Sequence, residues 1–448
     1  MIHAEKTPEI ERRPTDIGVP NENHEIPLTR GLNLIQTTFL GVGTAIGGVM
    51  FAIMGRAVGA AGPSLVITFL IGSLFAFFDG ISYAELGSAV PGGAGGAISF
   101  VQRAFGNTIP TFLTGWYDWM GSIADCAVGS VVFAYAIRYF LRWVEPVTIA
   151  VATLIFFAVI NFKGVKATGK TEFILTSILV FTLCLFMVRS SSNFEIERFE
   201  PLFPNGFLPT LLMISYIYPT YAGYETITQL SEEVKTAGKT IPRALLLTLV
   251  IITILFTGTA AAMIGAAPAE VYVNSETPIQ DAAKYFMGPI GEFLVSISGI
   301  IASLSTINGS MAGGTRITFA LSRENLLPSI FKKVHPRYRS PYTALALTTL
   351  LAIVFVLTRS VDFIVYTNAL GYIVTSIVVS LALLRLRKKE PQLYRPFKVP
   401  FCPYVPIIAI GMSAFMLIML SVESLILGLV FGLVGILLLN LTRKIQKR

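Results

Sequence analysis

Four carboxylic acids lie within apolar stretches of the sequence, where they could bind or carry a charge. They are Asp79, Asp118, Asp125 and Glu225. A carboxylate at the centre of a bilayer costs about 2.5–3.5 kcal/mol on insertion scales, so such groups are functional by default. Asp118 and Asp125 are seven residues apart and share one face of a helix. A carboxylate such as Asp125 could pair with a cationic group, or it could be a buried partner of Arg316 or of backbone donors.

Glycine is concentrated in the first apolar stretch, residues 41–51, which reads GVGTAIGGVMF. Glycine in a helix interior costs about 1 kcal/mol relative to alanine. Its concentration favours either a close-packed neighbouring helix or a deliberate break. A second stretch, residues 213–230, contains Pro219 and Gly223, and Pro219 must kink a helix because it lacks a backbone donor. Paired interruptions in two halves of a chain are typical of a transporter's binding site.

The backbone groups freed at such breaks match a zwitterion. A half-helix starting near Gly47 presents N–H groups and the positive end of its dipole, which suit a carboxylate. Half-helices ending near Ala45 and near Tyr221 present carbonyls, which suit an ammonium group. Unpaired backbone groups are costly in hydrocarbon, so the breaks predict a polar cavity beside them.

The elements that position these residues are transmembrane helices. The chain has 448 residues, of which 54% are hydrophobic and 13% are charged, against about 25% charged residues in a soluble domain. The polar segments are too short to form a core, so we predict an all-α membrane protein with twelve transmembrane helices. The predicted spans are 32–57, 63–89, 109–137, 147–162, 171–188, 208–230, 243–266, 289–321, 342–358, 361–384, 403–420 and 424–442.

Lysine and arginine lie mostly on one side of these spans. The positive-inside rule then predicts a multi-pass protein of the cell membrane with both termini in the cytoplasm. The same bias explains the net charge of +8, so no nucleic-acid partner is indicated. Residues 1–30 are polar and contain several prolines, and we expect them to form a cytoplasmic tail.

Motifs of other functional classes are missing from the sequence. There is no HExxH, GxSxG or Walker A pattern, and no histidine lies within a predicted span, so neither an enzyme nor an ATP-driven pump is indicated. The cysteines show no CxxC spacing, and we predict neither a metal site nor a cofactor. A channel is the alternative, but channels commonly build their selectivity rings by oligomerising, whereas two broken helices in one chain favour a single enclosed site.

Five segments, spread over nearly the whole chain, resemble the amino acid–polyamine–organocation (APC) transporter superfamily, of the amino acid permease type. They are GVGTAIGGVMF (41–51), YAELGSAVPGGAGGAISFVQRAFG (83–106), YAGYETITQLSEEVKTAGKTIPRAL (221–245), GGTRITFALSRENLLPSIFKKVHPRYRSP (313–341) and YRPFKVPFCPYVP (394–406). The resemblance implies a LeuT-type fold with a 5+5 inverted repeat and discontinuous helices 1 and 6. The implied parts are the tail 1–30, the first repeat 31–190, the second repeat 207–385, the peripheral helices 403–442 and the C-terminal tail 443–448.

The resemblance also implies the activity and the site. The activity is secondary active transport of an amino acid by alternating access, in a monomer or weak homodimer. The alternative substrate is a polyamine or another organic cation, with Asp125 as its partner. Ala45, Ile46, Gly47 and Gly48 would line the carboxylate site, and Tyr221, Ala222 and Gly223 would lie at the amine and side-chain end.

The resemblance leaves the coupling ion open. Glu225 stands where many members carry an acid just past the second break, and it or Asp125 could carry a proton. Relatives bind sodium near the positions of Ser303 and Thr306, although serine and threonine also commonly hydrogen-bond within membrane helices. The lysine that some proton-coupled relatives carry in helix 5 is Leu179 here.

The gate of the site departs from the usual pattern of the superfamily. Many relatives place an aromatic residue four positions before the glycine of helix 6, and that position is Pro219 here. Tyr218 or Tyr221 is then expected to serve as the gate.

Overall fold

A computed structural model describes residues 31–90, 96–141, 143–164, 169–229, 231 and 233–446. The predicted tail 1–30 and the last two residues of the predicted tail 443–448 lie outside this part of the chain. Fourteen α-helices form within it. They are α1 Leu34–Ala61, α2 Leu65–Ala89, α3 Ala97–Phe105, α4 Ile109–Ile137, α5 Pro146–Phe162, α6 Gly169–Ser190, α7 Phe207–Ile217, α8 Glu225–Gln229, α9 Ala237–Ala266, α10 Pro278–Arg323, α11 Tyr342–Leu357, α12 Val361–Lys389, α13 Tyr404–Ile418 and α14 Val422–Gln446.

Length and composition identify the helices that can cross a membrane. Seven helical segments of the described chain are long and apolar enough, and α1 and α2 count together as one of them. The shorter apolar helices are α5, α11 and α13. Each of the twelve predicted spans overlaps at least one of the fourteen helices. Large apolar side chains such as Phe181, Ile254 and Leu437 are more than half exposed, which suits contact with lipid.

Two groups of helices surround α1. In one group, α4 packs along α10 and α12; in the other, α2 packs along α9. α1 contacts both groups through α9 and α10. Its first turn is fixed by a capping box in which the Asn33 side chain accepts from the Gln36 N–H and the Gln36 side chain accepts from the Asn33 N–H. The site described below lies where α1 passes between the two groups.

The two ends of the molecule are distinguished by their loops. α10 is kinked at Gly288 (φ 70°, ψ −163°). Its longer part, 289–323, separates the segment 267–277 and the first part of α10 from the loop 324–341, so this segment and this loop lie at opposite ends. We call the end that carries the loops 324–341 and 390–403 the basic end, since most of their charged residues are lysine and arginine. Here the backbone of Leu32 pairs with that of Val234 in an isolated bridge, which joins the start of α1 to the segment after α8.

A buried carboxylate ties α2 to the end of α12 at the basic end. Glu85 is completely buried. It accepts two hydrogen bonds from the Arg387 guanidinium, at 2.8 and 2.5 Å. It also pairs with Arg395 at 3.0 Å and accepts from the Val399 N–H at 2.7 Å. This cluster joins two helices and the loop 390–403.

Candidate functional site

α1 is interrupted at one residue. Gly47 has φ 29° and ψ −170° inside an otherwise helical segment, a conformation that only glycine adopts at low cost. The second half of α1 therefore begins at Gly48. The N–H of Gly48 donates to Oγ1 of Thr306 on α10, at 3.1 Å. A hydrogen bond between α1 and α10 thus stabilises the interrupted conformation of α1.

The second broken helix unwinds over seven residues. α7 ends at Ile217, the chain continues as a 3₁₀ helix over Tyr218–Tyr224, and α8 resumes at Glu225. Every residue of this 3₁₀ segment is buried. A Cβ on Gly223 would collide with the backbone N and Cα of Ala45 and would lie 2.7 Å from the Ala45 Cβ. The two interruptions therefore meet with backbone against backbone.

A cavity opens beside the meeting point. It lies between α1, α4, α10, α12 and the 3₁₀ segment with α8. None of the described residues that line it is lysine, arginine or histidine. Its lining is Thr44, Ala45, Gly47, Val49, Asp118, Ser122, Asp125, Pro219, Ala222, Gly223, Glu225, Thr226, Gln229, Thr306, Gly309, Ser310, Gly313 and Tyr372.

The carboxylate of Asp125 accepts hydrogen bonds from three side chains of the protein. It accepts from the Asn368 amide at 2.9 Å, the Tyr372 hydroxyl at 2.5 Å and the Ser310 hydroxyl at 3.3 Å. The alternative partner considered from the sequence, Arg316, is exposed and lines the space at the basic end. That alternative is therefore wrong: side chains of α10 and α12, and no arginine, hold this carboxylate.

Glu225 differs sharply from Asp125. It is 4% exposed, yet neither carboxylate oxygen makes a hydrogen bond with any described residue. One oxygen of Asp118, across the cavity, is also buried and makes no hydrogen bond with the described residues. Because buried polar groups are normally satisfied, these oxygens are the ones in the cavity that are suited to an added donor or cation.

The hydroxyls suggested as sodium ligands bond within the protein. Ser303 is completely buried and donates to the Gly299 carbonyl at 2.6 Å. Thr306 donates to the Ala302 carbonyl at 2.9 Å while it accepts from Gly48. Thr306 lines the cavity and Ser303 does not.

The cavity continues towards the basic end. A larger space leads from it to Leu32, Glu233 and the loop 324–341. At the opposite end, Arg56 of α1 forms an ion pair with Asp362 of α12, and the Tyr216 hydroxyl donates to the same aspartate at 2.7 Å. Residues that line both spaces are Thr44, Thr226, Gln229, Gly309 and Gly313.

Residues 32–431 match the family model described as amino acid permease. The chain belongs to the amino acid permease family. The branched-chain amino acid permease BcaP of Bacillus subtilis is 25% identical, covering 92% of this chain and 93% of its own. The serine/threonine exchanger SteT of the same organism is 26% identical, covering 91% and 96%. The methylthioribose transporter of Bacillus subtilis is 26% identical, in an alignment that covers 86% of this chain and 87% of the transporter.

Membership of the permease family makes the chain a multi-pass membrane transporter with a small-molecule substrate. The permease brings seven of the residues predicted for its site together around one cavity. They are Ala45, Gly47, Asp125, Ala222, Gly223, Glu225 and Thr306. Two further predicted residues, Gly48 and Ile46, do not line the cavity. Gly48 contacts the lining residue Thr306 through its N–H, and Ile46 is completely buried.

The two tyrosines proposed as gates lie outside the cavity lining of the permease. The Tyr218 hydroxyl donates to Asp79 at 2.5 Å, and the Tyr221 hydroxyl donates to the Phe69 carbonyl at 2.6 Å. Both partners belong to α2, so these side chains dock the 3₁₀ segment onto α2. The sequence analysis missed Asn368 and Tyr372, which bind Asp125. These residues are four positions apart on one helix, so their polar groups lie on the same face. That spacing is the signal that could have identified them.

Proposed function

We propose that this permease carries amino acids across the cytoplasmic membrane by secondary active transport with alternating access. The observation that carries the proposal is the contact between two helix breaks, where Gly223 meets Ala45 next to the interruption at Gly47, beside one cavity. The N–H groups that start the second half of α1 suit the substrate carboxylate. The carbonyls near Ala45 and Tyr221 suit its ammonium group. The names of BcaP and SteT, which are amino acid transporters, support this class of substrate.

The finer architecture is part of the proposal. We propose twelve membrane crossings, with 31–190 and 207–385 as inverted repeats and 403–442 as peripheral helices. The basic end then faces the cytoplasm, because lysine and arginine favour that side. The space that leads from the cavity to the basic end makes this conformation inward-facing.

Uptake of labelled amino acids into proteoliposomes tests the proposal. We expect saturable uptake of L-leucine or L-serine that is accelerated by unlabelled amino acid inside the vesicles. The control is the same assay with Gly223→Ala protein, which should show little uptake. A non-saturable, ohmic current in place of saturable flux would indicate a channel and contradict the proposal.

A cationic substrate is the second candidate, and Glu225 favours it. The cavity lining contains three carboxylates and no basic residue, and both oxygens of Glu225 make no hydrogen bond within the described chain. An unpaired buried charge is costly unless a cation is supplied. Asp125 already has three donors, so the structure favours Glu225 over Asp125 as the partner of a substrate ammonium or guanidinium group.

Competition assays separate the two candidates. If the substrate is cationic, arginine, lysine or putrescine should compete with labelled substrate in the wild type and in Asp125→Asn, but not in Glu225→Gln. If neutral amino acids alone compete in all three proteins, the cationic candidate is excluded and the amino acid candidate stands.

A further inference from the structure

Thr306 occupies the position at which a substrate carboxylate would bind α1. Its Oγ1 accepts a hydrogen bond from the Gly48 N–H at 3.1 Å, and this is the first N–H after the break. A Cβ placed on Gly47 would lie 2.7 Å from the same oxygen, so the hydroxyl sits directly against the interruption. Thr306 is 3% exposed and lines the cavity.

The hydroxyl of Thr306 can act only as a hydrogen-bond acceptor for the groups at the break in α1. Its single proton is donated to the Ala302 carbonyl on its own helix, at 2.9 Å. A carboxylate at the same N–H would form a charge-assisted bond, which is about twice as strong as a bond between neutral groups. One N–H cannot make a good linear bond to both acceptors at once.

We infer that Thr306 competes with the substrate carboxylate for the N–H of Gly48 and so sets the affinity of the site. The inference rests on the proposed amino acid site. Binding of the carboxylate breaks the bond between α1 and α10, and this frees the second half of α1 from the helix group that contains α4 and α10. Thr306 is therefore a positioning residue that acts against binding, and its removal strengthens binding.

The test measures dissociation constants of purified variants by isothermal titration calorimetry. The probes are L-leucine and L-serine, with their decarboxylated counterparts isopentylamine and ethanolamine. Thr306→Val keeps the shape but removes the acceptor, so we expect it to bind the amino acids about 3- to 10-fold more tightly. The two amines should bind with unchanged affinity, since they have no carboxylate.

Three further variants serve as controls. Thr306→Ser keeps a hydroxyl and should bind as the wild type does. Thr306→Cys carries a weak acceptor and should tighten binding in the same direction, which keeps the test available if the valine variant does not fold. Ser296→Ala removes another buried hydroxyl of α10, which donates to the Glu292 carbonyl on the same helix, and it should leave all four affinities unchanged.

The sign of the effect decides the outcome. Weaker amino acid binding in Thr306→Val, or loss of a sodium dependence, would make the hydroxyl a ligand of substrate or ion and overturn the inference. An equal change for amino acids and amines would also overturn it, while the proposed function would stand. The wild type is first screened against all twenty amino acids; if it binds none of them, the proposed function fails and this inference fails with it.

Discussion

Gly223 is the residue at which the two broken helices approach most closely. A methyl group there would meet the backbone of Ala45, and backbone cannot move aside as a flexible side chain can. Gly223→Ala should therefore separate the two breaks, abolish at least nine-tenths of transport and destabilise the fold by about 1–3 kcal/mol. Uptake in proteoliposomes and thermal unfolding in detergent measure both effects. Gly411→Ala is the matched control, since a Cβ at Gly411 meets open space; equal losses in the two variants would contradict the argument.

Two of the three carboxylates that line the cavity, Asp125 and Glu225, should respond to neutralisation with opposite signs. Asp125→Asn replaces an acceptor that has three donors, so it should lower the apparent melting temperature. Glu225→Gln replaces a buried carboxyl group that makes no hydrogen bond with the described chain and that faces Asp118 across the cavity, so it should raise the melting temperature while it impairs transport. Such a trade between stability and function is common at binding sites. A lowered melting temperature in Glu225→Gln would show that the carboxylate is stabilising and contradict the prediction.

At the scale of the elements, Glu85 determines how α2 is joined to α12. Glu85→Gln would leave the Arg395 side chain, which is 4% exposed, without its anion. Breaking a buried ion pair by removing one partner costs about 3–5 kcal/mol, and chemical denaturation in detergent would measure the loss. The control is Glu292→Gln, which removes an exposed pair with Lys284 and should cost less than about 1 kcal/mol. Similar losses in both variants would count against the structural role of Glu85.

A second, more exposed ion pair lies near the same loop. Arg103 on α3 donates to Glu390 at the end of α12, at 2.8 Å, and this guanidinium holds the pKa of Glu390 below its usual range. Glu390 therefore stays ionised at neutral pH, and the contact between α3 and α12 is lost only in acid. The two pairs fix α12 to both α2 and α3.

For the whole molecule, the structure predicts access to the site from one side only. Ala312 lines the large space at the basic end, and Gln280 lies at the opposite end, where it is 7% exposed. In a background without native cysteines, Ala312→Cys should react with a membrane-impermeant thiol reagent applied to the basic side. Gln280→Cys should react at least tenfold more slowly with reagent applied to the other side. Faster labelling of Gln280→Cys would mean that the outward-facing form predominates.

Much of the fold could be predicted because a membrane leaves the chain few choices. A long apolar run must become a helix in lipid, since every backbone group has to be satisfied internally, and each predicted span does overlap a helix. The break at Gly47 was predictable for a local reason, because glycine alone accepts its backbone angles.

The contacts that complete the site could not be predicted in this way. Thr306 and Gly48 are 258 positions apart, and Asp125 and Asn368 are 243 apart. Only the packing of α4 against α10 and α12 brings such partners together, and no local pattern encodes it. This is why Arg316, a charge of suitable sign, was a plausible but wrong partner for Asp125.

The backbone bridge between Leu32 and Val234 constrains how the permease can open and close. It fastens the first turn of one interrupted helix to the chain that leaves the other, with the Lys235 N–H donating to the Leu32 carbonyl at 2.9 Å. Two segments joined in this way should move as one unit in the proposed transport cycle. The bending between the inward- and outward-facing forms would then fall at Gly47 and Gly223, so the hinge would coincide with the proposed binding site.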